Sequence, residues 1–379
     1  MSINLKYPRL IILLFLFLSG CASIGPAQIR LDRNRYNSII QSTTNQQLLE
    51  NIIRLHYLEP VSFLRVVNVT ASYTLNPVLK PIGSLTYASG LVRSVNSGHI
   101  TTGFGSLEPD ISYSDSPTIT YAPIDNAEFI SGLLTPITLN EMALLYSGGV
   151  SNPRLLDRIV IQSVNDIDNA SEASDVYSVN VPLYRDYYRL LDLIYSLKEI
   201  NGFRFLPVEV DDSYTLMMHF IAPYKTSLVS KKIRAMLNVP QDDEDIRWTE
   251  KTAVWKKDKH SILIRTRSVL GILSYLSHGV QVPFDDVKKG YIIQTKYSDG
   301  RVFNWEPLMK GIFRVYYSKY SPEDAFVKVR FRDHWFYIRN DDLVTKATFS
   351  LVTRLYTLTS GSPRSAQEGP VLTVPVRAP

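Results

Sequence analysis

Cysteine is almost absent from this chain of 379 residues, in which Cys21 is the only one. A disulfide within the chain is therefore impossible, even in an oxidising compartment. Hydrophobic residues make up 45% of the sequence and charged residues 20%, which is the balance of a folded protein with a substantial core. The fold must consequently be stabilised by packing.

Motifs for catalysis and for metal binding are missing as well. The six histidines are scattered, without the H-x-x-x-H or H-E-x-x-H spacing of a metal site. No G-x-S-x-G or S-x-x-K is present, which argues against serine hydrolases and penicillin-binding enzymes. Gly103-Phe104-Gly105 is half of a dinucleotide-binding fingerprint, but Glu108 stands where its third glycine belongs. We therefore predict a protein without enzymatic activity, cofactor or metal.

Carboxylates occur in four short clusters, and none has the pattern of a known site. Residues 242–245 could bind calcium, but the glycine and the final glutamate of an EF-hand loop are not in place. Turns and helix caps on a solvated surface explain the clusters better, above all Asp341-Asp342 before the last predicted helix. A glycan hydrolase with paired carboxylates from distant positions remains a third alternative. The clusters are Asp211-Asp212, residues 242–245, Asp285-Asp286 and Asp341-Asp342.

The chain begins with the three parts of a secretory signal. Lys6 and Arg9 precede an apolar run over residues 10–18, and the small residues Ser19 and Gly20 follow. The run is too short for a permanent membrane helix, because a helix rises about 1.5 Å per residue and a hydrocarbon core is about 30 Å thick. We expect residues 1–20 to be a signal peptide that is removed.

Leu18-Ser19-Gly20-Cys21 resembles the lipobox of bacterial lipoproteins. The resemblance implies cleavage between Gly20 and Cys21, a diacylglyceryl group on the Cys21 sulfur and an acyl chain on its new amine. Such a cysteine is not available for catalysis. Ala22, which is not an aspartate, implies by analogy with enteric sorting rules an anchor on the periplasmic face of the outer membrane. An uncleaved signal anchor is the alternative.

Charge gives little support for a nucleic-acid partner. The full chain has a net charge of +5. Loss of Lys6 and Arg9 with the leader leaves 39 basic and 36 acidic residues, or about +3. This excess is modest, and export also argues against nucleic acid.

Helices and strands are predicted without regular βαβ alternation, so the predicted fold class is α+β. Apolar spacing predicts helices over residues 45–57, 152–164, 184–200, 226–237, 268–279 and 340–358. Alternating or β-branched stretches predict strands over residues 62–75, 203–209, 213–221, 261–267, 311–318, 325–331 and 334–340, with a hairpin over 291–305 around Asp299-Gly300.

The predicted organisation has two halves that meet in the polar stretch 165–175. A flexible lipidated tether precedes them, and residues 81–122 stand out as a β segment rich in glycine, serine and threonine. The predicted parts are the signal peptide 1–20, the tether 21–28, the N-terminal α+β region 29–175, the C-terminal α+β region 176–360 and the extended tail 361–379.

A second resemblance covers residues 28–375. The phrases RLDRNRYN, QQLLENIIRLHY, LLTPI, RTRSVLGILSYLSHGVQVP, HWFYIRNDDL and TFSLVTRL resemble an uncharacterised group of proteobacterial lipoproteins. The resemblance favours the lipoprotein interpretation and implies no reaction, ligand or catalytic residue.

Aromatic residues are abundant and provide the candidate contact sites. Two groups stand out, one formed by Tyr184, Tyr187 and Tyr188 and the other by Trp335, Phe336 and Tyr337. Exposed tyrosine and tryptophan favour interfaces, although core packing is the commoner explanation of such residues. Basic residues interleave with the second group in KVRFRDHWFYIR, which suits an acidic partner or a glycan.

These observations favour a non-enzymatic outer-membrane lipoprotein that is a structural or interaction component of an envelope assembly. Its expected partners are the membrane, through the lipid, and other envelope proteins, with homo-oligomers possible. The alternative is a subunit of an oligomeric outer-membrane pore or export channel, because residues 61–122 are charge-poor and a transmembrane strand needs about 9 to 11 residues.

Overall fold

The computed structural model describes residues 24–70, 73–81, 107–115, 118–123, 127–148, 152–175, 177, 179–210, 213–360 and 372–375. The chain forms two compact units. The first, which we call the body, combines the chain up to Phe63 with Asp125–Arg364. The second, the ribbon unit, combines Leu64–Ile124 with Ser365–Pro379.

Helices occur throughout the body. They are α1 (Ile24–His56), α2 (Ala127–Leu134), α3 (Leu139–Ser147), α4 (Pro153–Val160), α5 (Arg185–Glu199), α6 (Leu228–Leu237), α7 (Thr252–Lys257), α8 (Val269–Ser277), α9 (Phe284–Lys288), α10 (Glu306–Met309) and α11 (Leu343–Ser360). No helix in the described ranges is both long enough and apolar enough to cross a membrane.

Strands form separate sheets in the two units. They are β1 (Leu64–Thr70), β2 (Tyr73–Pro81), β3 (Leu107–Asp115), β4 (Thr118–Pro123), β5 (Ile161–Val164), β6 (Ile167–Asp168), β7 (Phe203–Val210), β8 (Ser213–Phe220), β9 (Asp245–Thr249), β10 (Ser261–Thr266), β11 (Tyr316–Ser318), β12 (Ala325–Phe331), β13 (His334–Arg339) and β14 (Leu372–Pro375). In the ribbon unit β1 pairs with β4, β2 with β3, and β14 with β4.

The body contains a six-stranded sheet and a three-stranded sheet. The six strands lie in the order β6-β5-β10-β9-β8-β7, and only β9 and β10 run parallel. The three strands lie in the order β11-β13-β12 and are antiparallel. Helices and mainly antiparallel sheets without βαβ repeats confirm the predicted α+β class.

The two units do not divide where the sequence suggested. The predicted boundary at 165–175 lies inside the body, because β6 pairs with β5 and β5 pairs with β10, a strand from much later in the chain. A polar loop separates elements along the sequence, but here it connects neighbouring parts of one sheet.

Helix α8 is the centre of the body core. It begins after Ser268, whose hydroxyl accepts the Gly271 N–H at 3.1 Å, as an N-cap should. Every residue of α8 is buried except Leu270, which is partly exposed. Helices α1, α2, α4 and α11 all contact it. A helix that is apolar on all sides requires such a position.

Three local predictions need correction. The predicted helix 152–164 ends at Val160, because Ile161–Val164 joins the large sheet beside β10. Helix α1 starts at Ile24, so residues 24–28 are helical, although a flexible tether was predicted; Pro26 is tolerated because it lies in the first turn. Asp299-Gly300 does form a turn, but Lys296 and Val302 make only an isolated bridge around it.

Several predictions fall on residues outside the described ranges. These include the signal peptide, Gly20, Cys21, residues 82–106 of the segment 81–122, and residues 361–371 and 376–379 of the tail. Within the tail, Leu372–Pro375 forms a strand.

Candidate functional site

One face of the small sheet carries aromatic and basic side chains together. The strand register places Tyr316, Tyr337 and Lys328 in one row and Trp335 beside Arg330 in the next. Residues paired across antiparallel strands share a face, so these five lie on the same side. Arg330 is exposed and the other four are partly exposed. We call this surface, formed by Tyr316, Lys328, Arg330, Trp335, Tyr337 and Arg339, the aromatic–basic face.

The opposite face of the same sheet belongs to the core, and it contains one of the predicted contact residues. Phe336 is 1% exposed, and its neighbours on that face, Val329 and Ile338, are buried too. The Phe336 ring lies 6.2 Å from that of Phe331 and 6.3 Å from that of Tyr57. Successive strand residues point to opposite faces, so Trp335 and Tyr337 can be surface residues only if Phe336 is not. Phe336 is therefore corrected to a core residue.

The cations of the aromatic–basic face lie close to its rings. The Lys328 Nζ is 5.7 Å from the Trp335 ring centre, and the Arg339 guanidinium carbon is 5.7 Å from that of Tyr316. Arg339 also forms an ion pair with Asp341, which raises the pKa of Arg339. Arg330 has no ion-pair partner in the part of the chain that the structure describes. Flat rings beside unneutralised positive charge can contact an acidic surface.

The three tyrosines at the start of α5 have different environments, with Tyr184 as the residue just before the helix. Tyr184 and Tyr188 are partly exposed, with ring centres 5.2 Å apart. Tyr184 lines an open cleft of about 540 Å³ together with Arg185 and Tyr297. The Tyr188 hydroxyl accepts a hydrogen bond from Arg158 at 2.9 Å and donates one to the Leu308 carbonyl at 3.1 Å. Tyr188 thus connects body elements, and only Tyr184 remains a surface candidate.

Tyr187, the third of these predicted contact residues, is completely buried. Its hydroxyl donates to the Asp157 carbonyl oxygen at 3.0 Å. The residue lies on the apolar stripe of α5 with Leu190, Leu191 and Ile194. This correction follows from helical periodicity, because positions 187, 190, 191 and 194 have the i, i+3, i+4, i+7 spacing of one helix face, and that face is the buried one.

Two histidine–aspartate pairs lie at the β8–β9–β10 edge. His219 Nδ1 is 2.7 Å from an Asp245 oxygen, and His260 Nδ1 is 2.7 Å from an Asp243 oxygen. Asp243 is 8% exposed, so it is not the solvated turn residue that was predicted. Among the described residues no group of three or more histidine, cysteine or acidic side chains could hold a metal ion.

The other acidic clusters also divide between surface and core. Asp342 caps α11 as predicted, because its side chain accepts the Thr345 N–H at 3.0 Å. Asp286 is 8% exposed and accepts the Tyr57 hydroxyl at 2.7 Å, so it is a buried partner and not a solvated one. Asp211-Asp212 lies outside the described residues.

A buried carboxyl that the sequence did not reveal belongs to helix α4. Asp157 is 2% exposed, and both of its oxygens accept hydrogen bonds from tyrosines, one from Tyr146 and the other from Tyr195 at 2.6 Å. Burial raises the pKa of Asp157 to about 6, although the two hydroxyl donors oppose this shift. Each carboxylate oxygen has a tyrosine donor from the fold itself, so we assign this cluster to structure.

A buried cation, Arg267, donates hydrogen bonds to backbone carbonyls of the residues that follow Asp157. Arg267 is 1% exposed and has backbone carbonyls as its main acceptors, including that of Ile161 at 2.8 Å. It also donates to the Asn169 carbonyl and to the Ser174 hydroxyl at 2.8 Å. Its guanidinium carbon lies 4.2 Å from the Tyr275 ring centre. Because every acceptor is already part of the fold, we assign Arg267 to structure.

Two further histidines pack near α10. The His278 ring stacks on Trp305 with 3.7 Å between ring centres, and its centre is 6.4 Å from that of His56. Burial lowers the pKa of His56 to about 4 and that of His278 to about 3, with the neighbouring His56 adding to the second shift. Both rings are therefore neutral packing groups at neutral pH.

Comparison with known proteins adds no assignment. No protein-family model matches the chain, and neither the curated proteins nor the solved structures contain a significant match. The interpretation below therefore depends on the residues alone.

Proposed function

We propose that this chain is a non-enzymatic lipoprotein of the bacterial outer membrane, anchored on the periplasmic face through Cys21. Its body would dock on an acidic surface of another envelope protein through the aromatic–basic face. The observation that carries the docking proposal is the separation of Trp335 and Tyr337 from Phe336 onto opposite faces of β13. Trp335 and Tyr337 lie at the surface beside Arg330, which has no ion-pair partner among the described residues, and this combination suits an acidic surface of a partner protein.

Helix α1 gives the anchor a direct connection to the body. It begins three positions after Cys21, and its 33 residues correspond to about 50 Å of helix. Near its other end Leu48, Leu49, Ile52 and Ile53 are fully buried or nearly so. A lipid on Cys21 would therefore be joined to the core by continuous helix after the first few residues.

The anchor is tested by the variant Cys21→Ser. We expect this protein to keep residues 1–20 and to incorporate no labelled fatty acid, because the hydroxyl is not the thioether-forming thiol that the lipobox resemblance requires. Mass spectrometry of the N-terminal peptide and membrane fractionation would check both points. Unchanged cleavage and fractionation would contradict the lipid anchor.

Docking is tested by affinity capture from native membranes. We expect Trp335→Ala combined with Arg330→Glu to reduce recovery of a specific partner at least tenfold, since it removes one ring and reverses one charge. The matched control is Tyr320→Ala with Lys319→Glu, which changes an aromatic residue and a cation at exposed positions outside the face. Equal recovery with both variants, or no specific partner for the unaltered protein, would contradict this function.

A pore or export-channel subunit is the second candidate, supported by the ribbon unit. Strands β2 and β3 have nine residues each, within the range of about 9 to 11 that a transmembrane strand needs. Electron microscopy of the purified lipoprotein would then reveal rings that conduct ions in planar bilayers, and deletion of residues 81–117 would abolish them.

A further inference from the structure

A cleft of about 570 Å³ opens where strands β9 and β10 begin. The two strands run parallel, so the residues just before them meet at one edge of the six-stranded sheet. Asp243 precedes β9 and His260 precedes β10, and both line the cleft. Asp245 and Arg247 of β9 line it from the outer face of the sheet, because Ile246 between them is fully buried. The cleft is thus a surface feature of the body with described side chains on its walls.

Negative charge predominates in this cleft. Its charged side chains are Arg247 and the four carboxylates Asp243, Glu244, Asp245 and Asp258. Lys225 forms an ion pair with Glu244, and Arg247 lies 3.4 Å from Asp258. Asp243 has no lysine or arginine within ion-pair distance among the described residues. The excess of carboxylates favours a positively charged ligand.

One oxygen of Asp243 has no donor from the described fold. The residue is 8% exposed, and its Oδ1 lies 2.7 Å from Nδ1 of His260. Its Oδ2 is buried and has no hydrogen-bond partner in the part of the chain that the structure describes. A buried carboxylate oxygen without a donor is costly. Because Asp243 lines the cleft, a ligand there can supply the missing donor.

His260 provides a second acceptor beside this carboxylate. Its side chain is 63% exposed and lines the same cleft. A neutral imidazole that donates from Nδ1 to Asp243 has Nε2 as an acceptor. Both groups therefore suit a ligand that donates hydrogen bonds, which agrees with the sign of the charge.

Hydrogen bonds to the backbone hold these acceptors in place. The buried Arg234 donates from Nε to the Asp243 carbonyl at 2.7 Å. The His260 carbonyl accepts the Arg247 N–H at 3.0 Å, and the His260 N–H donates to the Asp258 side chain at 3.0 Å. A site that is formed before its ligand binds loses less conformational entropy on binding.

The arrangement of the acceptors favours an ammonium group over a metal ion. No group of three or more histidine, cysteine or acidic side chains within the described ranges could hold a metal. A primary ammonium has three N–H donors and a positive charge, so it can bind Asp243 and His260 together. Met217, a partly exposed residue of the cleft, can contact the methylene chain next to such a group.

We propose that this cleft binds an organic cation with primary ammonium groups, and that Asp243 Oδ2 and His260 Nε2 accept its hydrogen bonds. The proposal goes beyond the docking function, because it uses the six-stranded sheet and a ligand of the opposite charge. Its test involves no residue of the aromatic–basic face, so either proposal can fail without the other.

Isothermal titration calorimetry of the full lipoprotein in a mild detergent measures the binding. The probes are spermidine, for a free polyamine, and tetralysine, for lysine side chains. We expect saturable binding of at least one probe, weakened about tenfold or more in Asp243→Asn, which replaces a charged acceptor by a neutral amide. The matched control Asp242→Asn removes the same charge at an exposed position outside the cleft, and we expect its affinity to change less than about twofold.

A second variant keeps Asp243 and blocks the cleft instead. Met217→Lys places an ammonium group of the protein itself in the cleft, so we expect it also to weaken binding about tenfold or more. Its control is Leu206→Lys, because Leu206 pairs with Met217 across β7 and β8 and is exposed, but lies outside the cleft. Thermal unfolding of each variant establishes that the protein titrated is folded.

The remaining outcomes separate the sources of the ligand and the ways in which the proposal fails. Asp243-dependent binding that is tighter for tetralysine assigns the site to lysine side chains, and tighter binding of spermidine assigns it to a free polyamine. Absence of saturable binding for both probes would overturn the proposal. Equal weakening in Asp242→Asn would assign the binding to general surface charge. Calcium or zinc ions that bind more tightly than either probe, and lose this binding in Asp243→Asn, would assign the cleft to a metal.

Discussion

The buried carboxyl of Asp157 predicts an unusual pH dependence of stability. Its pKa rises from about 3.8 to about 6 on folding, because burial disfavours the ionised form. The folded chain therefore binds more protons at this site than the unfolded chain between pH 4 and 6. Stability from this group is present at low pH and is lost as the pH rises through 6.

The size of the effect follows from the shift. A difference of about two pKa units corresponds to about 3 kcal/mol at about 1.36 kcal/mol per unit. In Asp157→Asn the side chain is neutral at every pH, and its amide can still pair with the hydroxyls of Tyr146 and Tyr195. We expect this variant to match the unaltered protein near pH 4 and to be more stable by up to about 3 kcal/mol near pH 7.

Urea unfolding of the full chain, followed by tryptophan fluorescence at pH 4 to 8, measures this difference. Comparing the two proteins at each pH removes the contribution of other groups, such as Asp299 and Asp341, whose lowered pKa values act in the opposite direction. Asp186→Asn is the control, because it changes an exposed aspartate in a surface ion pair with Arg189. A difference that does not grow with pH for Asp157→Asn, or one that grows equally in the control, would refute the reasoning.

Three further predictions concern the same core. Tyr195→Phe removes a donor that lowers the pKa of Asp157, so we expect the loss of stability to continue to a higher pH and to reach about 1 to 3 kcal/mol more at pH 7, in the same urea experiment. In Arg267→Lys the ammonium group cannot donate to all the carbonyls that accept from the guanidinium, so we expect the free energy of unfolding in urea to fall by about 3 kcal/mol or more. A fall of less than about 1 kcal/mol would contradict the structural role of Arg267. Phe336→Ala should cost about 3 to 5 kcal/mol and lower the melting temperature, whereas Trp335→Ala next to it should change the temperature little; equal effects would mean that the two faces of β13 are misassigned.

Local periodicity predicted most helices and strands of the body. The apolar stripe over 184–200 became α5, and the alternation over 325–331 and 334–340 became β12 and β13. The segment 152–164 failed because its β-branched end serves a sheet formed with residues about a hundred positions later. The local sequence does not show whether the helix continues through residues 161–164, because these residues instead pair with β10, a strand about a hundred positions later.

Local periodicity also predicts part of the candidate site. Alternation along HWFYIR could have placed Phe336 in the core, and helical periodicity could have done so for Tyr187. The surroundings of Asp157 and Arg267 could not be foreseen, because tyrosines from separate helices and backbone carbonyls supply them. Carbonyl acceptors have no residue-type signature in a sequence.

The connections of α1 determine when the body can be completed during synthesis. Tyr57, just after this helix, donates a hydrogen bond to Asp286, and Glu59 forms an ion pair with Arg332 at 3.0 Å, 273 positions later. During synthesis, the end of α1 therefore lacks the contacts with Asp286 and Arg332 until these residues have been made. Contacts so distant in sequence slow folding and leave apolar surface open to aggregation in the meantime. A chain truncated before residue 332 would have every residue of α1 but would lack β13, the central strand of the three-stranded sheet.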